Sequence, residues 1–300
     1  MKVFVTGVGG QLGHDTILEL KKRGHDGVGS DVLPTVETTV PYVQLDITSK
    51  AAVKETVERE HPDVIIHCAA WTNVDGAEAP ENREKVNAIN ADGTRYIAEA
   101  AKAVDAKMVY ISTDYVFDGQ GERPWEPDDK CYNPLNVYGS SKLAGELAVI
   151  GTLNKYFIVR IAWVFGLNGK NFIKTMINVG KTHDTVRVVN DQIGTPTYTA
   201  DLARLLVDMV ETDKYGYYHA TNSESSPGGF ISWADLAEEA YRAAGMNVKV
   251  ERVTTAEYGL SVAARPFNSR LDKSKLVESG FTPLPDWKDA VGRYIKEAGL

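Results

Sequence analysis

Tyr138 and Lys142 are the residues whose types and spacing most directly offer chemistry: a phenol able to give up a proton, with an ammonium four residues on. If Asn136-Val137-Tyr138-Gly139-Ser140-Ser141-Lys142 opens a helix after Pro134, both side chains share one face, about 5–6 Å apart at Cβ. A free tyrosine titrates near 10, and bringing it to a working value near 7 takes roughly 4 kcal/mol of preference for phenolate. A close ammonium and a helix N-terminus both act in that direction, so a lowered Tyr138 is expected. The same spacing also describes an exposed polar pair on a solvated helix. Its company argues for chemistry: a glycine-rich turn at residue 7, Ser112-Thr113, and strand–helix alternation between them.

The turn Gly7-Val8-Gly9-Gly10-Gln11-Leu12-Gly13 follows a strand-like run and opens a helical one. In that context Gly7 permits a tight turn, Gly10 lets backbone approach a pyrophosphate, and Gly13 lets the helix pack closely on the strand. The helix N-terminus then faces the anion. Asp31 falls about 20 residues on, where a carboxylate accepts hydrogen bonds from an adenosine ribose. Residues 31–40 hold no Lys or Arg to receive a 2′-phosphate, and Glu37 adds negative charge, so NADH is favoured over NADPH.

These groups need a scaffold, and the apolar pattern supplies one. Short β-branched runs at 2–6, up to Asp31, 42–45, 63–68, 107–112 and 156–161 alternate with helical stretches at 12–23, 49–60 and 82–105. Strands that are apolar on both sides and separated by helices indicate a parallel sheet covered on both faces. The expected fold is α/β, a Rossmann-type doubly wound parallel sheet with a smaller C-terminal substrate-binding lobe. Residues 1–165 would form the NAD(P)-binding domain and 166–300 mainly the substrate lobe, with about 199–220 returning to the Rossmann domain. Past Trp163 the pattern loosens into helices near 170–180, 200–211 and 233–244 and strands at 186–189 and 217–219. The proline-rich, acidic stretch 118–134 reads as a surface loop bordering the site.

Composition narrows the classes further. A net charge of −8 and a pI near 5.4 work against binding nucleic acid or an anionic membrane surface. Cys68 and Cys131 are too few for a disulfide framework, which fits a reducing cytoplasm. The start of the chain reaches Gly7 too early for a signal peptide, and no apolar run approaches the ~18 residues of a membrane span. The six histidines show no paired ligand spacing, so no metal site is expected.

With Thr113 ahead of Tyr138 and Lys142, and the glycine turn ahead of all three, the chain resembles the extended short-chain dehydrogenase/reductases. Within them it is most similar to the dTDP-4-dehydrorhamnose reductase family. The closer match rests on Leu45-Asp46-Ile47, on 68–75 (CAAWTNVD), on 86–88 (VNA), on 112–119 (STDYVFDG), on 160–166 (RIAWVFG) and on 191–197 (DQIGTPT). By that resemblance Asp46 and Ile47 lie at the adenine, and Ala69, Ala70 and Thr72 along the cofactor, with Gln11 and Leu12 in its turn. Val74, Thr113, Asp114 and Trp163 lie against the deoxysugar. Blander roles exist for several: Ala69-Ala70 as helix–sheet packing, Asp114 as a turn cap, Trp163 as a core aromatic. One departure stands out: Ile161-Ala162 occupy the place where the family usually carries Thr-Ser.

The implied reaction is reduction of the C4 ketone of a nucleotide-linked 6-deoxyhexose, dTDP-4-dehydrorhamnose to dTDP-L-rhamnose, for cell-surface polysaccharide. Tyr138 would donate the proton, Lys142 would hold the nicotinamide ribose and lower the Tyr138 pKa, and Thr113 would hydrogen-bond the carbonyl oxygen. A nucleotide-sugar dehydratase or epimerase is the sister alternative. Sugar dehydratases commonly set Asp-Glu directly after the catalytic Thr, whereas Asp114 is followed here by Tyr115. A non-catalytic subunit similar to the regulatory subunit of methionine adenosyltransferase is the alternative from another class, against which the intact Thr113, Tyr138 and Lys142 speak. The partner expected is a small nucleotide sugar, and a homodimer stays open.

Overall fold

Val3 and Val5 bury into one apolar cluster and Phe4 into another, and the same alternation recurs at Val64, Ile65 and Ile66 and at Phe157, Ile158 and Val159. Successive strand residues point to opposite faces, so strands patterned this way are covered on both sides. The computed structural model, which describes residues 1–300, has these strands at the centre of one sheet. It contains β1 (Lys2–Thr6), β2 (Asp26–Asp31), β3 (Tyr42–Gln44), β4 (Val64–His67), β5 (Lys107–Thr113), β6 (Tyr156–Ile161) and β11 (Gly216–His219). Their order is β11-β6-β5-β4-β1-β2-β3, all parallel. The doubly wound α/β fold expected from sequence is the fold observed.

Helices α1 (Gln11–Lys22) and α8 (Thr199–Val210) share the core on one face. On the other lie α2 (Lys50–Glu60), capped by Ser49 as its sequence suggests, α5 (Thr94–Ala103) and α6 (Val137–Thr152). The single helix expected over 82–105 is instead α4 (Arg83–Asn87), a π-helical stretch Ala88–Gly93, and α5. Within it the Thr94 hydroxyl donates to the Asn90 carbonyl at 2.8 Å, and Gly145 of α6 approaches that same carbonyl so closely that a Cβ would lie 2.6 Å away. Such π stretches recur at functional sites. Short α3 (Val74–Ala77) precedes it.

The remaining chain builds a third core on three small sheets. β7 (Val164–Phe165) pairs with β10 (Thr197–Tyr198); β9 (Ile193–Gly194) pairs with β12 (Ile231–Ser232) and β14 (Asn268–Ser269); β8 (Thr185–Val189) pairs with β13 (Lys249–Val253). Helices α7 (Phe172–Gly180), α9 (Trp233–Ala243) and α12 (Trp287–Ala298) pack over them, with α10 (Thr255–Tyr258) and α11 (Ser274–Glu278) as short turns. The stretch 118–134 is more than a surface loop. Its Trp125 is buried, stacks on Phe117 at 4.6 Å and exchanges backbone hydrogen bonds with Arg270 and Asp272, because an indole has too much apolar area to leave in water. No helix is long and apolar enough to cross a membrane.

Candidate active site

The sheet order reverses between β1 and β4, and open α/β sheets bind ligands outside the carboxyl ends of strands at such a point. Gly7 leaves β1 there at φ +74°, with the loop after β4 so near that a Cβ would sit 2.6 Å from the Ala69 nitrogen. A Cβ on Gly13 would sit 2.3 Å from the Gly7 carbonyl oxygen, so α1 leans directly on the turn. Gly10 is the N-cap of α1 and no side chain caps it. Uncapped first-turn N–H groups and the helix dipole together suit a phosphate, so the cradle fits a dinucleotide. At its rim the Asp31 carboxylate accepts from the Gly9 N–H at 3.0 Å and the Leu33 N–H at 3.3 Å. Asp46 caps a turn through Thr48, and Ile47 packs under Gly93 of the π stretch. Ala69 and Ala70 are half-buried, whereas Thr72 is exposed.

Sequence reasoning missed what holds this loop and turn. The buried Asn90 side chain accepts from the Trp71 N–H at 2.8 Å and donates to the Trp71 carbonyl and the Ser141 hydroxyl, tying the loop to α6. From the C-terminal half, Asn168 donates to the Gly9 carbonyl at 2.9 Å and Asn171 to the Gln11 side chain at 3.1 Å.

Asn136 starts α6, its side chain accepting from the Gly139 N–H at 2.7 Å, while Glu78 accepts from the Val137 N–H. Gly139 is required where it stands, since a Cβ would meet the Tyr115 carbonyl at 2.4 Å. That approach brings Thr113, at the end of β5, beside Tyr138, and Tyr115 meets Tyr138 edge-on at 5.5 Å. Tyr138 and Lys142 do lie on one helix face, but the expected electrostatics are reversed. Burial pushes the Tyr138 phenol well above its ordinary value, only partly opposed by the Thr113 hydroxyl. Burial brings Lys142 down from 10.5 to about 7, opposed by Glu146 one turn on. The lysine Nζ sits 4.1 Å over the Tyr110 ring, so desolvation outweighs attraction and the ammonium is no permanent cation here.

On the far wall, Asp114 is 1% exposed, and its carboxylate accepts from Thr113 at 3.0 Å and Ser269 at 2.5 Å. Burial lifts it to about 6 despite those hydrogen bonds. Trp163 follows β6 with φ +51°, is 9% exposed, and stacks on Trp233 at 4.1 Å. A left-handed, bulky residue costs backbone energy, and such residues cluster at functional sites. Val74 is half-buried at the start of α3. Beside it, Asp75 accepts from Arg265 at 2.6 Å and from the Ala263 N–H at 3.0 Å, and Arg265 also donates to the Tyr115 hydroxyl at 3.2 Å. Nothing in the sequence signals that junction, because its partners are far apart in the chain.

A phosphate-ready glycine turn at the switch point and a Thr–Tyr–Lys group at the adjoining strand end define a dinucleotide-binding α/β protein of the reductase type. The chain belongs to the RmlD substrate binding domain family, whose model matches residues 1–299. It is 40% identical over 294 residues to a dTDP-4-dehydrorhamnose reductase of Streptomyces griseus, covering 96% of this chain and 91% of that one. A dTDP-4-dehydrorhamnose reductase crystal structure from Clostridium acetobutylicum superposes with a TM-score of 0.91 at 40% identity, over 100% of both chains. Another, from Bacillus anthracis in complex with NADP, gives a TM-score of 0.89 at 40% identity over 99% of each.

Proposed function

We propose that this protein reduces the C4 ketone of dTDP-4-dehydro-6-deoxy-L-mannose to dTDP-L-rhamnose with a nicotinamide dinucleotide as reductant. The observation that carries the reading is the meeting of Thr113, Tyr138 and Lys142 beside an uncapped glycine cradle. Relatives of that named activity at 40% identity over nearly the whole chain support it. Residues 1–165, with about 199–220, would bind the dinucleotide, and the rest of 166–300 the sugar nucleotide.

A dinucleotide held through its pyrophosphate at the cradle would supply the hydride from its nicotinamide end. The chain's own residues handle the proton and the charge. Tyr138, held protonated by its burial, is loaded for donation to the carbonyl oxygen. Thr113 places a hydroxyl beside it for the oxygen on which charge develops. Lys142, poised at about 7, would be the cation that stabilises the phenolate left behind, its charge favoured where ribose hydroxyls of a dinucleotide accept hydrogen bonds from it. Trp163 and Val74 would line the deoxysugar and Asp114 would fix its register, while Gly7, Gly10, Gln11, Leu12, Gly13, Asp31, Asp46, Ile47, Ala69, Ala70 and Thr72 would line the cofactor.

The test supplies the 4-keto sugar, made enzymatically from dTDP-glucose, and follows NADH absorbance. Oxidation of NADH with formation of dTDP-L-rhamnose is expected; a different C4 epimer would overturn the assigned product, and no NADH oxidation with this keto sugar would overturn the assigned substrate. Because the Asp31 carboxylate stands at the turn, one oxygen on the Gly9 N–H and the other on the Leu33 N–H, NADH should show the higher kcat/KM than NADPH. A measured preference for NADPH would remove Asp31 as the discriminator.

A further inference from the structure

Glu146 is fully buried beneath the proposed proton-transfer group. One carboxylate oxygen accepts from the Ser112 hydroxyl at 2.5 Å and from Arg160 Nε at 2.8 Å, and the other from Arg160 Nη2 at 2.8 Å. Arg160 also donates to the Pro127 carbonyl and the Tyr132 hydroxyl, with its guanidinium 4.9 Å from the Phe117 ring centre and 4.6 Å from that of Tyr217. A water-free ion pair is weak ground for stability, because well-packed apolar side chains of equal volume usually do as well. Two attachments distinguish this pair from such packing. Ser112 immediately precedes Thr113, and Glu146 follows Lys142 by four residues on the same helix face.

We propose that Glu146 is a positioning residue for the reaction: through Ser112 it locks the strand end carrying Thr113 to the helix carrying Tyr138, and it sets its carboxylate one turn from Lys142. The inference rests on the reading of Tyr138 and Lys142 given above. The groups around Lys142 are His67 at the end of β4 and Cys68 just after it, Tyr110 of β5, and Tyr138 one turn before and Glu146 one turn after it in α6, with Arg160 of β6 behind Glu146. Burial holds His67 down at about 3, Cys68 up at about 12, and Tyr110 well above its ordinary value, so these three are neutral across neutral pH. Glu146 is thus the anion that opposes the desolvation of Lys142.

The experiment is the pH profile of kcat/KM for the full-length protein with NADH and the keto sugar. In Glu146→Gln the alkaline limb, where Lys142 loses its proton, should move to lower pH by about one unit, as expected for removing one nearby buried charge. Because that variant strands Arg160, the double variant Glu146→Gln/Arg160→Met is measured beside it and should show a shift in the same direction, smaller because the more distant cation is removed too. Glu146→Asp keeps the charge and should retain the wild-type limb with reduced kcat. Ser112→Ala should lower kcat without moving the limb or the NADH Kd. An unmoved limb in the double variant, or an equal shift in Glu146→Asp, overturns the proposal. Lys142→Met separates the two levels: near wild-type turnover there removes the proton-transfer reading itself, whereas lost turnover with an unmoved limb in the Gln variants removes only the role of Glu146.

Discussion

Helices α1 and α6 both begin beside the cleft, and their first turns are finished in opposite ways. The α1 start has glycine at its N-cap, no side-chain cap and no acidic residue in the first turn, so its N–H groups stay free. The α6 start has Asn136 on the Gly139 N–H and Glu78 on the Val137 N–H, so its donors are spent inside the protein. The same element serves twice: left open it receives an anion, and closed off it becomes a rigid mount for a side chain. On this contrast, damage to α6 should appear in turnover and damage to α1 in cofactor affinity.

The largest expected effect is on the closed side. Tyr138→Phe should lower kcat by about 10²- to 10⁴-fold, the usual loss for a positioned proton donor, with NADH Kd unchanged. A parallel loss of NADH binding would mean that the two helix starts do not divide the work. On the open side, Gly13→Ala forces a Cβ to 2.3 Å from the Gly7 carbonyl. Overpacking of this kind costs about 1–3 kcal/mol, and NADH titration should show at least a ~10-fold weaker Kd. An unchanged Kd would take the turn out of the cofactor's path.

The third effect is on stability and has a sign set by Lys142. Its folded value of about 7 lies below the 10.5 of the unfolded chain, so the unfolded state binds more protons between those values. Stability from this group therefore rises with pH across that window and is lowest on its acid side. Lys142→Met should flatten that slope and raise the melting temperature by roughly a few degrees near pH 6–7 while losing turnover. A lower melting temperature at every pH would show that the lysine stem, not its charge, governs the site. The smallest effect belongs to Asn136→Ala: loss of the cap should cost about 1 kcal/mol in denaturant unfolding, with a modest drop in kcat and no change in NADH affinity.

What could be read from sequence followed from local rules. Val3-Phe4-Val5 and Val64-Ile65-Ile66 announce buried parallel strands, Ser49 announces the start of α2, and the glycine spacing announces the cradle. What escaped depends on burial or on distant pairing. Tyr138 and Lys142 carry their spacing in the sequence, but the direction of their shifts comes from Tyr110, His67 and Cys68 closing around the ammonium. Arg265 and Asp75 meet only through the fold, and Trp125, in a stretch without periodicity, is buried by β14 and its neighbours. Glu146 was the nearest miss, since it repeats the four-residue step from Tyr138 to Lys142.

The placement of β11 bears on how the chain is made. The outer edge of β6, Tyr156–Ile161, is covered only by residues 216–219, which follow most of the small-sheet segments, and the α1 face waits likewise for α8. At ~5–20 residues per second of synthesis, an apolar parallel strand edge stands open for on the order of several seconds. Nascent chains arrested before residue 216 should therefore stay protease-sensitive and bind chaperones, and those arrested well past it should resist both.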